Sequence, residues 1–114
     1  MGLIDTIEAA YDARPMARER VPEWESPESG EVWVHYKPAT QYELDVVGKE
    51  VPEGASGSRW NAQVVVLKAM DAEGKRAFSN GDAERLLKKG YSAVLNRLAR
   101  LMLAVPNPVD VEKK

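Results

Sequence analysis

The chain opens on "LIDTIEAAYDA", in which Leu3, Ile4, Ile7, Ala10 and Tyr11 recur at helical spacing, so a short amphipathic helix is predicted, to be ended by Pro15. The period then disappears. "RPMARERVPEWESPESG" holds three prolines and many charges and reads as an extended arm whose one large apolar group is Trp24. "EVWVHYK" alternates, with Val32, Val34 and Tyr36 on one side and Trp33 and His35 on the other, the pattern of a half-buried strand. After Pro38, Thr40 and Glu43 stand three apart as a capping box and open a second helix, with Gly48 as its expected stop. "KEVPEGASGSR" is predicted to be a mobile loop.

"WNAQVVVLKAM" supports two readings. Its three consecutive valines favour a buried strand, whereas Trp60, Val64 and Leu67 with Val65 and Met70 form a helical stripe. In the polar stretch that follows, "DAEG" suits a reverse turn, and Ser79 and Asp82 form a second capping box in which hydroxyl and carboxylate each meet the other residue's N–H. Leu86 and Leu87 then begin a helix that Gly90 should interrupt, and Tyr91, Val94, Leu95, Leu98, Leu101, Met102 and Val105 recur at three and four. Arg97 and Arg100 line the other side of that helix. Pro106 and Pro108 end it, and residues 106–114 are expected to fray.

Composition narrows the classes. With 114 residues the chain reads as one domain. Sixteen basic and eighteen acidic side chains are interspersed, so the basic stripe of a nucleic-acid module is missing and no nucleic-acid partner is expected. Without cysteine there is no disulfide or thiolate metal site, which fits a reducing compartment. The opening lacks the basic start and apolar run of a signal peptide, and no apolar run approaches the ~20 residues that span a bilayer. A soluble intracellular protein with no membrane contact is the expectation.

Candidate chemistry is sparse. Counted from Asp71, the acids Asp71, Glu73 and Asp82 fall at positions one, three and twelve of a calcium loop, but Lys75 occupies position five, the glycine comes early at Gly74, and Asp82 is shorter than the bidentate Glu the loop uses. These departures argue against a metal. His35 is the only histidine and lacks a nucleophile or orienting acid in the pattern, and no carboxylate pair is set in an apolar context that would separate its pKa values. Neither catalytic residues nor cofactors are expected, and binding is the activity the residues support.

The order of segments then becomes informative. "VPEW", the strand "VWVHY" and the capped helix at "ATQYELD" resemble the N-terminal half of tail assembly chaperones of long-tailed, siphovirus-type bacteriophages and prophages. The apolar "VVVLKAM", the connection "DAEGKRAFSNGDAERL" with Asp71, Gly74, Phe78, Ser79 and Asp82, and the terminal amphipathic helix resemble its second half. The resemblance covers about residues 20 to 105 and departs at "ESPESG" and at the long "VPEGASGSR" loop. It implies a mostly α (α+β) domain, a small helical core with a short β element and C-terminal amphipathic helices, and the chain is read as a partly extended N-terminal arm over 1–30, a compact core over 31–105 and a flexible tail over 106–114. It tips "WNAQVVVLKAM" to helix.

The resemblance also implies a non-enzymatic factor of the host-cell cytoplasm that keeps the tape-measure protein soluble until tail-tube subunits polymerise around it, forms homo-oligomers, and is absent from the finished virion. A longer, frameshifted form reaching the major tail protein is a further expectation, tied to the lysines of "DVEKK". Candidate partner or oligomer contacts are Trp24, Arg97, Arg100, Leu101 and Met102, with Leu95 and Leu98 assigned to the core and Thr40, Glu43, Ser79 and Asp82 to the caps. The rival from another class is a small nucleic-acid-binding regulator or antitoxin-like protein; a hydrolase using His35 ranks last.

Overall fold

The computed structural model describes residues 2–104. The expectations for Val105 and for the tail over 106–114 fall outside them. In chain order the elements are α1 (Leu3–Ala13), β1 (Ala17–Arg20), a 3-10 turn (Pro22–Trp24), β2 (Trp33–Tyr36), α2 (Gln41–Glu50), α3 (Gly57–Lys68), α4 (Asp82–Lys89) and α5 (Ser92–Leu103). The protein is thus mostly helical with a two-stranded antiparallel sheet. Among the described residues no helix is long and apolar enough to cross a membrane.

The ambiguous valine segment is helical, and α3 is the centre of the molecule. It packs against α5, α4 and α2, and Val64, Val65 and Val66 are all fully buried. Burial on every side explains why propensity misleads here: a helix satisfies its own backbone while surrounded by side chains, whereas a strand in the same place needs a partner on each edge. Each valine so buried contributes about 1.5–3 kcal/mol relative to exposure. The helix begins earlier than the predicted loop allows, because the Ser56 hydroxyl accepts from the Arg59 N–H at 3.4 Å and draws Gly57 to Arg59 into the first turn.

Other boundaries move for identifiable reasons. Gly48 does not stop α2, which runs on to Glu50. The stop falls where Val51, preceding Pro52, adopts the extended backbone that proline imposes on its neighbour. The arm over 1–30 is more ordered than expected: Ala17, Arg18, Glu19 and Arg20 pair with Tyr36, His35, Val34 and Trp33. Val21 lies fully buried in the core. Strand β1 has no apolar alternation because it is an edge strand, mostly open to solvent, stabilised by its ladder and by Arg18 stacking 4.2 Å above the Trp33 ring.

On its other side β2 receives one more residue, since His35 and Met70 exchange both backbone hydrogen bonds, at 3.0 and 2.7 Å. This seats the α3 end beside the sheet and starts the "DAEG" turn. There Gly74, at φ +86°, takes the left-handed conformation that a side chain disfavours, and the Asp71 carboxylate accepts from the N–H groups of Glu73 and Lys75.

Candidate functional site

Two of the residues singled out in the sequence lie in one structural unit. Trp24 closes the 3-10 turn that Pro22 begins, a turn anchored by buried Val21, and it packs half-buried on the edge of the core. Arg97 on α5 holds that turn in place. Its guanidinium donates to both Glu23 carboxylate oxygens at 2.8 and 3.1 Å, reaches Glu19 at 3.2 Å and donates to the Arg20 carbonyl at 3.4 Å. The forked bond from Arg97 holds the Glu23 carboxyl below its usual range. Arg97 is therefore a brace within the chain rather than a free arginine on a solvated face. Its register is legible only once β1 is known.

Beside Trp24 lies an open cleft of about 410 Å³, lined by Trp24, Phe78, Asp82, Arg85, Leu86, Lys89 and Gly90. Its volume falls in the range of pockets that enclose small ligands. Its floor is aromatic and aliphatic, from Trp24, Phe78 and Leu86. Its rim is the outer face of α4, where Arg85 and Lys89 are exposed and Asp82 sits 3.6 Å from Arg85. The geometry follows from local sequence: Asp82, Arg85, Leu86 and Lys89 recur at three and four, so one helix face lines the cleft.

Gly90 forms the corner between α4 and α5 because nothing larger fits. A Cβ there would lie 2.7 Å from the Leu86 carbonyl oxygen. Sequence reasoning missed Phe78, Arg85, Leu86 and Lys89 as site residues. The available signal was a lone phenylalanine in a polar loop followed by a helix whose apolar and basic positions share a face.

The remaining candidates are elsewhere. Met102, expected at an interface, is fully buried, and Leu101 is half-buried against the same core. The expectation rested on a frayed helix end, but the Met102 carbonyl accepts from the Ala39 N–H at 2.8 Å, which fastens α5 to the start of α2. Arg100 is exposed. Tyr91, assigned to the apolar stripe, is the exposed N-cap of α5, 61% accessible. Leu95 and Leu98 are buried as expected.

The capping residues divide. Thr40 and Glu43 form the full reciprocal box, at 3.2 and 2.9 Å. The same Glu43 oxygen receives the Lys68 ammonium at 2.7 Å, a buried cation that the sequence did not flag. At α4 only half of the predicted box exists. The Asp82 carboxylate accepts from the Ser79 N–H at 2.9 Å, but the Asp82 N–H donates to the Ser79 carbonyl and not to its hydroxyl. The segment closes as a reverse turn that places Gly81, in helical conformation, at the N-cap.

His35 sits in the middle of the sheet, and its ring Nδ1 has no hydrogen-bond partner among the described residues. Among those residues no group of three His, Cys, Asp or Glu side chains is placed to hold a metal ion. No protein-family model, no curated protein and no solved structure matches the chain.

Proposed function

We propose that the protein is a non-enzymatic binding module of phage tail assembly, a chaperone for the tape-measure protein. The cleft between Trp24, Phe78 and Leu86 carries this reading: an apolar floor beside a basic helix rim suits a few apolar side chains of an amphipathic helix whose flank is acidic. A long helical client polymerises or aggregates through such apolar seams, and covering them one segment at a time lowers its exposed apolar area. The order of segments in the sequence, on which the resemblance to tail assembly chaperones rests, supplies the identity of the client. In this reading the protein acts in the host cytoplasm as a homo-oligomer and leaves before the tail is complete, and a longer frameshifted form brings the major tail protein to the same complex.

The test is a scan of overlapping peptides covering a tape-measure protein sought among the neighbouring genes, read by titration and by Trp24 emission in a chain with Trp33 and Trp60 replaced by Phe. Acid-flanked amphipathic segments are expected to bind with micromolar affinity, and Arg85→Glu with Lys89→Glu should weaken them about tenfold or more, the change that follows when rim charges are reversed. If no peptide binds and co-expression leaves the tape-measure protein as insoluble as without the chaperone, the proposal fails.

A further inference from the structure

Helix α1 is the one helix of the described residues with no buried side chain, and it packs face to face with no other element. Its apolar stripe is nevertheless well formed. Leu3, Ile4 and Ile7 share a face and are 75, 63 and 54% exposed, while Tyr11 continues the same stripe and is half-buried. Tyr11 is also where the helix is tethered: the Lys37 ammonium lies 4.9 Å above its ring and donates to its carbonyl at 3.2 Å. The first two turns thus project with their apolar side uncovered. Between Leu3 and Ala13 the charged residues are Asp5, Glu8 and Asp12, all acidic.

We infer that α1 of one copy docks in the Trp24–Phe78–Leu86 cleft of a second copy, so that the chain associates head to tail. Leu3, Ile4 and Ile7 are the aliphatic residues an apolar floor takes, and the acidic flank of α1 meets the basic rim of Arg85 and Lys89. The occupant is a second copy because the helix of the same chain is fastened elsewhere, its Tyr11 turn held by Lys37 beside Tyr36. Ala17, which follows α1, pairs with Tyr36 at one end of the ladder, and Trp24 lies beyond Arg20 at the other.

Each copy then offers one helix and one cleft, a heterologous contact that generates a closed ring or an open helical array rather than a two-fold dimer. The inference rests on the cleft being a helix-docking site, as proposed above, which α1 of a second copy and a client helix take in turn; its test needs no client, so the fate of the tape-measure reading is separable.

The test uses full-length chains and sedimentation across concentration. Wild type is expected to associate. Ile4→Asp with Ile7→Asp, at exposed positions that leave the melting temperature unchanged, should weaken association about tenfold or more. Arg85→Glu with Lys89→Glu should do the same.

Mixed together, these two non-associating variants are expected to form a 1:1 dimer that does not grow, since one retains an intact cleft and the other an intact helix. Glu8→Lys with Asp12→Lys, combined in one chain with Arg85→Glu and Lys89→Glu, should regain association. A wild type that stays monomeric to about 0.1 mM, weaker than any complex with useful affinity, overturns the inference. So does a folded Ile4→Asp, Ile7→Asp variant that associates like wild type, or a mixture that gives no dimer.

Discussion

Glu43 serves two partners through one oxygen. Its Oε1 accepts from the Thr40 N–H that α2 leaves unpaired and from the Lys68 ammonium, whose side chain is only 5% exposed. Removing one partner of a buried pair leaves the other charge without compensation, which costs more than the pair itself contributes. Glu43→Gln is therefore expected to lose about 3 kcal/mol in urea denaturation, and adding Lys68→Met should restore stability toward wild type. A double variant less stable than Glu43→Gln alone would contradict this account.

Gly90 is held by sterics of a different kind, since its φ is ordinary and only the 2.7 Å approach of a Cβ to the Leu86 carbonyl excludes a side chain. Gly90→Ala should cost about 1–3 kcal/mol, the range for overpacking. Gly81→Ala, where a Cβ meets nothing within 4 Å, should be neutral or slightly stabilising and serves as the control.

At the scale of elements, what could be read from the chain was what local chemistry determines. The Thr40–Glu43 box, strand β2 with Val34 and Tyr36 inward, the break at Gly90 and the buried stripe of Leu95 and Leu98 all depend on neighbours within a few residues. Features set by distant partners were not legible. Strand β1 has no period of its own because its order comes from β2, and the end of α5 at Met102 is fastened by the distant Ala39 N–H while the Met102 side chain lies in the shared core. The cleft brings Trp24 against a stretch more than fifty residues further on, from Phe78 to Gly90, so of its apolar floor only Trp24 was singled out in advance as a contact.

The start of α4 gives an element-scale prediction, because hydroxyl and carboxylate were expected to share the capping work and only the carboxylate does. Ser79→Ala should change stability by less than roughly 0.5 kcal/mol, as for an uninvolved surface position. Asp82→Ala should cost about 1 kcal/mol, the usual worth of a cap, and melting of the two variants side by side distinguishes them. Equal losses would mean that the hydroxyl also caps the helix.

In the whole molecule, the hairpin arm is joined to the helical core partly by carboxylates, which makes the joint sensitive to acid. Within the arm itself, Glu25 takes a forked bond from Arg20 at 2.8 and 3.0 Å and accepts from the Val32 N–H, and these bonds bring its pKa from 4.5 down to about 2. Glu23 is the one of the two that crosses to the core, gripped by Arg97 of α5, and it is shifted down as well. A carboxylate with a depressed pKa in the fold adds stability that is complete above its unfolded value and is lost as pH falls through the folded one. For Glu25 that window runs from about 4.5 to about 2.

The helical core is held mainly by apolar burial among α3, α5, α4 and α2, which protonation leaves in place. Acid titration should therefore release the turn bearing Trp24 before the helices melt, with tryptophan emission changing at a higher pH than helical circular dichroism. Arg20→Met, which removes the largest cause of the Glu25 shift and leaves the smaller Val32 bond, should flatten the acid limb of the stability curve. Coincident transitions in wild type, or an Arg20→Met curve as steep as wild type below pH 4.5, would show that the carboxylates of the arm do not set the acid response.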